Sequence, residues 1–176
     1  LFAGHFAGNA NTRGSENVFL GQDAGKNNIN GNLNTFVGED AGIENTGGDE
    51  NVFIGNGAGR NSVAGSQNAV LGNSAFSNNI TGSQSAAFGH SALFNNSHGD
   101  ENAAFGYSAL FSNGSGDRNA AFGHSALFTN LIGIENVAFG HSALFSNTGD
   151  FNSAMGFEAL KRNISGSENS AFGYKA

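Results

Sequence analysis

The sequence predicts an all-β fold, a parallel β-solenoid (β-roll) built from 17-residue coils, and three observations predict it. The stretch Asn119-Ala-Ala-Phe-Gly-His-Ser-Ala-Leu-Phe128 has near-copies 17 residues before it, Asn102 to Phe111, and 17 after it, Asn136 to Phe145. Glycine and alanine return at fixed places in that period from one end of the chain to the other. Proline, about 5% of an average chain, is absent, as suits a fold in which nearly every backbone N–H enters a ladder.

With the asparagine that begins the stretch as position 1, position 5 is Gly from Gly4 to Gly173, position 8 is Ala from Ala7 to Ala176, and position 15 is Gly from Gly14 to Gly166. The apolar triplet at positions 2 to 4 reads as a short strand, the Gly at 5 as a corner, positions 8 to 10 as a second strand, and the Asn- and Gly-containing remainder as a turn. Position 1 is Asn except at Ser85, and position 12 is Asn except at Ser62. Stacked coil on coil, these residues predict amide ladders bonded to each other and to turn backbone. One unit, Asn136 to Asn152, is a residue short after Thr148, which predicts a turn over 147–151 because solenoid deletions map to loops. A helical solenoid is the weaker alternative, since 17 residues with two or more glycines cannot hold the helix pair of longer repeats. Strands about 4.8 Å apart predict a rod on the order of 50 Å long.

The chain reads as a single repeat domain over 1–176, a piece of a longer fibre, with two sub-regions. In 1–67, position 3 is Phe, position 4 is aliphatic and position 9 is Gly, as in Phe19, Leu20 and Gly25. In 85–176, position 3 is Ala, position 4 is Phe over most coils and position 9 is Leu, as in Ala121, Phe122 and Leu127. Bulk that leaves one place and returns in another is how a close-packed interior changes sequence at constant volume. Positions 3 and 4 point to opposite faces of a strand, yet both are apolar, so something must cover the outside as well. Identical neighbouring chains are the simplest cover, which predicts a homo-oligomer. Phe88, Phe105, Phe122 and Phe139 at position 4, with Phe94, Phe111, Phe128 and Phe145 at position 10, are the expected oligomer or core packing residues.

Composition narrows the function. A formal net charge of −7 with seven scattered basic residues disfavours nucleic acid as a partner. No cysteine is present, and no 18-residue apolar run marks a membrane span or signal in this segment. His90, His124 and His141 precede Ser91, Ser125 and Ser142, but a catalytic pair needs one unique, oriented partner set and these repeat coil after coil. No enzyme, metal or cofactor is expected. The acidic residues near Asp49-Glu50 and Asp100-Glu101 lack the spacing of calcium-binding rolls. Ice binding, which flat Thr ladders support, finds no column of Thr in successive coils. One irregularity remains: Leu131, Ile132 and Ile134 replace polar turn residues and Phe151 falls in the next turn, a candidate apolar contact patch whose alternative is packing around the deletion.

The Asn-x-x-apolar-Gly-x-Ser-Ala unit, as in Asn102-Ala-Ala-Phe-Gly-Tyr-Ser-Ala109, resembles the coils of YadA-type heads in trimeric autotransporter adhesins, and is similar to shaft repeats of phage tail fibres and other bacterial surface fibres. Here the turn holds about three more residues than in those heads. The resemblance implies a homotrimer, an extracellular cell-surface or virion location, and attachment through a surface receptor or glycan. Its alternative is a purely structural shaft.

Overall fold

The computed structural model describes residues 1–176. Eleven strands lie in one parallel sheet in sequence order: β1 Phe2–Ala3, β2 Val18–Leu20, β3 Thr35–Val37, β4 Val52–Ile54, β5 Ala69–Leu71, β6 Ala86–Phe88, β7 Ala103–Phe105, β8 Ala120–Phe122, β9 Val137–Phe139, β10 Ser153–Met155 and β11 Ser170–Phe172. The register is one repeat throughout, pairing Phe19 with Phe36 and Ala104 with Ala121. The short unit does not disturb it, because the missing residue falls in the irregular segment after Asn147 and Met155 still pairs with Phe139. The chain is therefore the expected parallel β-solenoid, with every strand at positions 2 to 4.

The second strand expected at positions 8 to 10 does not form. Positions 6 to 9 are a turn, and its cause lies in the backbone, which turns left-handed at positions 7 and 9, as at Ser125 (φ 53°) and Leu127 (φ 50°). These kinks keep peptide groups aligned along the axis without an extended chain. Leu127 N–H donates to Ala143 O of the next coil at 2.9 Å, and Ser125 N–H donates to Tyr107 O of the previous one at 2.9 Å. All that remains of a second wall is a row of single bridges at position 11, from Asn78 and Asn95 to Thr129 and Ser146. Of 114 backbone hydrogen bonds only 19 lie within the strands, so the turns carry most of the cohesion between coils. A leucine held left-handed costs roughly 1–2 kcal/mol, so the repeated geometry persists only because its surroundings dictate it.

The interior has an apolar half and an amide half. Position 3 from the strand meets position 8 from the turn, so Phe19, Phe36 and Phe53 face Ala24, Ala41 and Ala58, all fully buried. The rings stack from Phe2 to Phe53 at 4.8–4.9 Å between centroids. In these coils position 9 is glycine, because a Cβ on Gly42 would sit 2.6 Å from the Phe36 ring. From Leu93 onward position 9 is Leu, fully buried from Leu93 to Leu144, and position 3 is Ala. The volume exchange is thus between positions 3 and 9. Phe76 marks the crossing, tilted 52° against Phe53 at 6.3 Å.

The amide half is built on the carbonyls of the position-15 glycines. Gly48 O accepts from Asn34 Nδ2 at 2.8 Å and from Asn45 Nδ2 at 3.1 Å, so both asparagine columns clamp one turn. Along each column the amides also link coils: Asn113 Nδ2 donates to Asn96 Oδ1 at 2.8 Å, and Asn51 N–H donates to Asn34 Oδ1 at 2.9 Å. Buried asparagine is tolerable only with such partners, and the predicted ladders supply them.

Candidate functional site: the outer sheet face and the turns

Strand alternation sends positions 2 and 4 outward. Two side chains from each of β2 to β11 give twenty, from Val18 and Leu20 to Ser170 and Phe172, and none is charged. Phe139 is 54% exposed, and Leu71 and Met155 are similarly open. Of the two roles expected of Phe88, Phe105, Phe122 and Phe139, core packing is not theirs, because the interior is filled from positions 3, 8 and 9. Phe94, Phe111, Phe128 and Phe145 are half-buried outside the core as well, on the turn beyond position 9. What these two sets do is stack. Centroids lie 4.9–5.7 Å apart along the first ladder and 4.9–5.0 Å along the second.

A third ladder runs over position 6, through His90, Tyr107, His124, His141, Phe157 and Tyr174, at 5.0–5.2 Å. Within each ladder the ring faces are consumed by neighbours, so between the terminal rings what meets solvent is ring edge. His90 and His124 meet the hydroxyl of the next residue at Nδ1, Ser91 and Ser125 each at 3.0 Å, and no third group orients either ring. Nowhere do three His, Asp or Glu side chains gather closely enough to hold a metal ion.

The four residues of the candidate turn patch are divided between two sides of one turn. Leu131 and Ile132 are exposed, Ile132 at 64%, ahead of the buried Gly133. Ile134 and Phe151 follow that glycine on adjacent coils, where Phe151 N–H donates to Ile134 O at 3.0 Å. Ile134 N–H in turn donates to Asp150 Oδ1 at 2.9 Å, the place where other coils use Asp, Ser or Asn to bond the turn before.

Charge sits on the turns. Glu158 is the one group held away from its ordinary range, lowered chiefly by its hydrogen bond from Lys161 Nζ, which desolvation opposes, and lowered further by the charges of Lys161, Lys175 and His141. Arg60 pairs with Asp40 at 3.3 Å across one coil, beside a polar cavity of about 180 Å³. The sequence reading passed over that cavity. Its signal was two departures from the column, Gly57 at position 7 and Ser77 at position 10.

Comparison with models of known protein families, with curated proteins and with solved structures finds no match to this chain.

Proposed function

We propose that this chain is a segment of an extracellular fibre in which three copies pack through the outer faces of their sheets, and that the rod so formed attaches to a cell or surface by presenting repeated elements to a receptor or glycan. The observation that supports it is the outer face itself. A strip three residues wide and some eleven strands long covers roughly 500 Å², within the size range of patches that mark interaction sites. Charged groups are excluded from it along its whole length. Copies of the same chain suit it as occupants, because an unbroken uncharged strip is matched along its length by another. The role is mechanical and multivalent, with no chemical step.

Light scattering on the isolated segment tests the assembly. Three chains per particle are expected, and Phe105→Lys with Phe122→Lys should give one chain per particle with unchanged far-UV circular dichroism. One chain per particle in the unaltered protein overturns the assembly. A passive shaft is the second reading, favoured by the stacked rings, whose faces are unavailable to a ligand along most of each ladder. Binding of the segment to cells or immobilised glycans separates it from an adhesin.

A further inference from the structure

A ring face is left open beside a cavity at the junction of the two sub-regions. Phe94 begins the position-10 ladder: Phe111 stacks on one side of it at 5.0 Å, with the planes 2° apart. On the other side the preceding coils carry Ser77 and Arg60 at that position. Asp40, Asn56, Arg60, Asn61 and Asn78 join Phe94 around the cavity of about 180 Å³, and all of them come from coils before Phe94, so the wall it supplies is its uncovered face.

Two losses of bulk open this notch. Ser77 is buried and turned away, donating from Oγ to Gly57 O at 2.9 Å and Ser74 O at 3.0 Å. Gly57 stands in the column where Asp40 and Ser74 carry side chains at φ 56° and 54°, and its own φ is 64°. A Cβ added there would meet nothing nearer than Ser74 Oγ at 3.8 Å, so packing does not call for glycine, and the left-handed backbone, which favours it, does not require it, since Asp40 and Ser74 adopt the same φ. What its absence of a side chain supplies is space.

We propose that this notch is a subsite for one hexopyranose ring. The inference rests on the attachment reading and names the chemistry of its ligand. An aromatic face is electron-rich and receives the C–H face of a sugar, while hydroxyls around the ring edge need donors and acceptors in one plane. The rim offers both. Asp40 accepts, Arg60 donates, and the carboxamides do either: Asn56 Nδ2 is engaged by Glu39 at 3.0 Å, which leaves its Oδ1 free, and Asn61 donates to Asn78 Oδ1 at 2.8 Å, which leaves Asn61 Oδ1 free. The volume is below the ~300–1,000 Å³ of sites for drug-sized ligands, which suits a single ring and not a run of them. The Asp40–Arg60 pair leaves no surplus charge, so a neutral hexose is preferred to an anionic one.

The test titrates the segment with the methyl glycosides of glucose, galactose, mannose and N-acetylglucosamine, read by side-chain amide shifts of the asparagines in NMR. One of the four should bind in the millimolar range expected of about 13 to 16 heavy atoms, and shift Asn56, Asn61 and Asn78 while leaving Asn113 and Asn130 in place. Gly57→Asn, which suits the left-handed backbone and fills the space, should weaken binding at least tenfold. Ser77→Phe, which continues the ladder over Phe94, should abolish it, and Gly57→Asn keeps the test decisive if Ser77→Phe fails to fold. No shift with any of the four, or equal binding by the Gly57→Asn variant, overturns the subsite. Attachment to cells that survives Gly57→Asn removes the sugar site and leaves the fibre reading standing. Absence of cell attachment by the unaltered segment, with hexose binding retained, removes the attachment reading alone.

Discussion

Moving the junction by one coil isolates the rule that governs this core. In the coil of Phe53 and Gly59 the ring occupies the space of the missing side chain, so that a Cβ on Gly59 would lie 2.5 Å from two ring carbons. Phe53→Ala alone leaves a cavity and should cost about 3–5 kcal/mol. Gly59→Leu alone forces a side chain into the ring and should cost about 1–3 kcal/mol for overpacking, with roughly 1–2 more for a left-handed leucine. Independent effects would sum to at least about 5 kcal/mol. Made together, the two changes reproduce the pattern of the coils from Leu93 onward, and the leucine fills what the ring vacates. The residual costs are the left-handed leucine, roughly 1–2 kcal/mol, and the Phe36–Phe53 stack at 4.8 Å, about 0.5–1.5 kcal/mol. The double variant should therefore lose only about 2–3 kcal/mol, a coupling of some 2 kcal/mol or more. Guanidinium denaturation of the four proteins, followed by far-UV circular dichroism and compared at equal slope, measures the cycle. Additive losses would refute the exchange of volume between positions 3 and 9.

Two further outcomes follow from the amide half and the charged turns. Asn113→Ala removes donors to Asn96 Oδ1 and Gly116 O and the acceptor for Asn130 Nδ2, all buried, and should lower stability by about 2–4 kcal/mol, whereas Asn113→Ser, the residue standing at Ser62 in this column, should cost less; a loss under about 0.5 kcal/mol in a denaturant titration for the alanine variant would remove the ladder from the list of stabilising features. Glu158 has its carboxyl depressed in the folded chain, so its contribution is present above the unfolded carboxylate range and is lost as pH falls through the folded value; the melting temperature of Glu158→Gln should lie below that of the unaltered protein at neutral pH and converge with it in acid, and a gap that persists in acid would contradict the assignment.

The strands, the register, the position of the deletion and the Asn ladders were legible because each follows from period alone: a column of identical residues at 17-residue spacing has one simple arrangement, stacked on itself. Three things were not. The second strand was expected because Ser-Ala-Leu-Phe carries no turn signal, and nothing in the residue types of Ser125 or Leu127 announces a left-handed backbone that position 9 fills with Gly in one half and Leu in the other. Whether the position-4 phenylalanines pack in the core or against another chain was left open, because strand alternation says that positions 3 and 4 face apart but not which of the two faces is inside. The notch was missed because it consists of absences, a glycine and a serine in columns that elsewhere hold larger side chains. The residues of the proposed outer interface could be named in advance, since Phe105 and Phe122 belong to the repeated unit itself. A site made of one irregularity had to await the geometry that shows which faces the irregularity leaves bare.

A periodic surface restricts what a solenoid can recognise. Every coil offers its neighbour's groups again, so a ladder of rings satisfies itself along the axis and presents only edges, and a column of amides bonds to its own next member. Selective recognition therefore has to be located where a column starts, stops or skips. In this chain those events are concentrated where the core passes from position 3 to position 9. Phe76 enters the interior there, and the position-10 ladder starts one coil later at Phe94, with Ser77 beneath it. The interior transition and the open ring face are neighbours in sequence because both belong to the change from one repeat type to the other. Joining two such types within one rod produces, at the seam, a binding geometry that neither type contains when repeated alone.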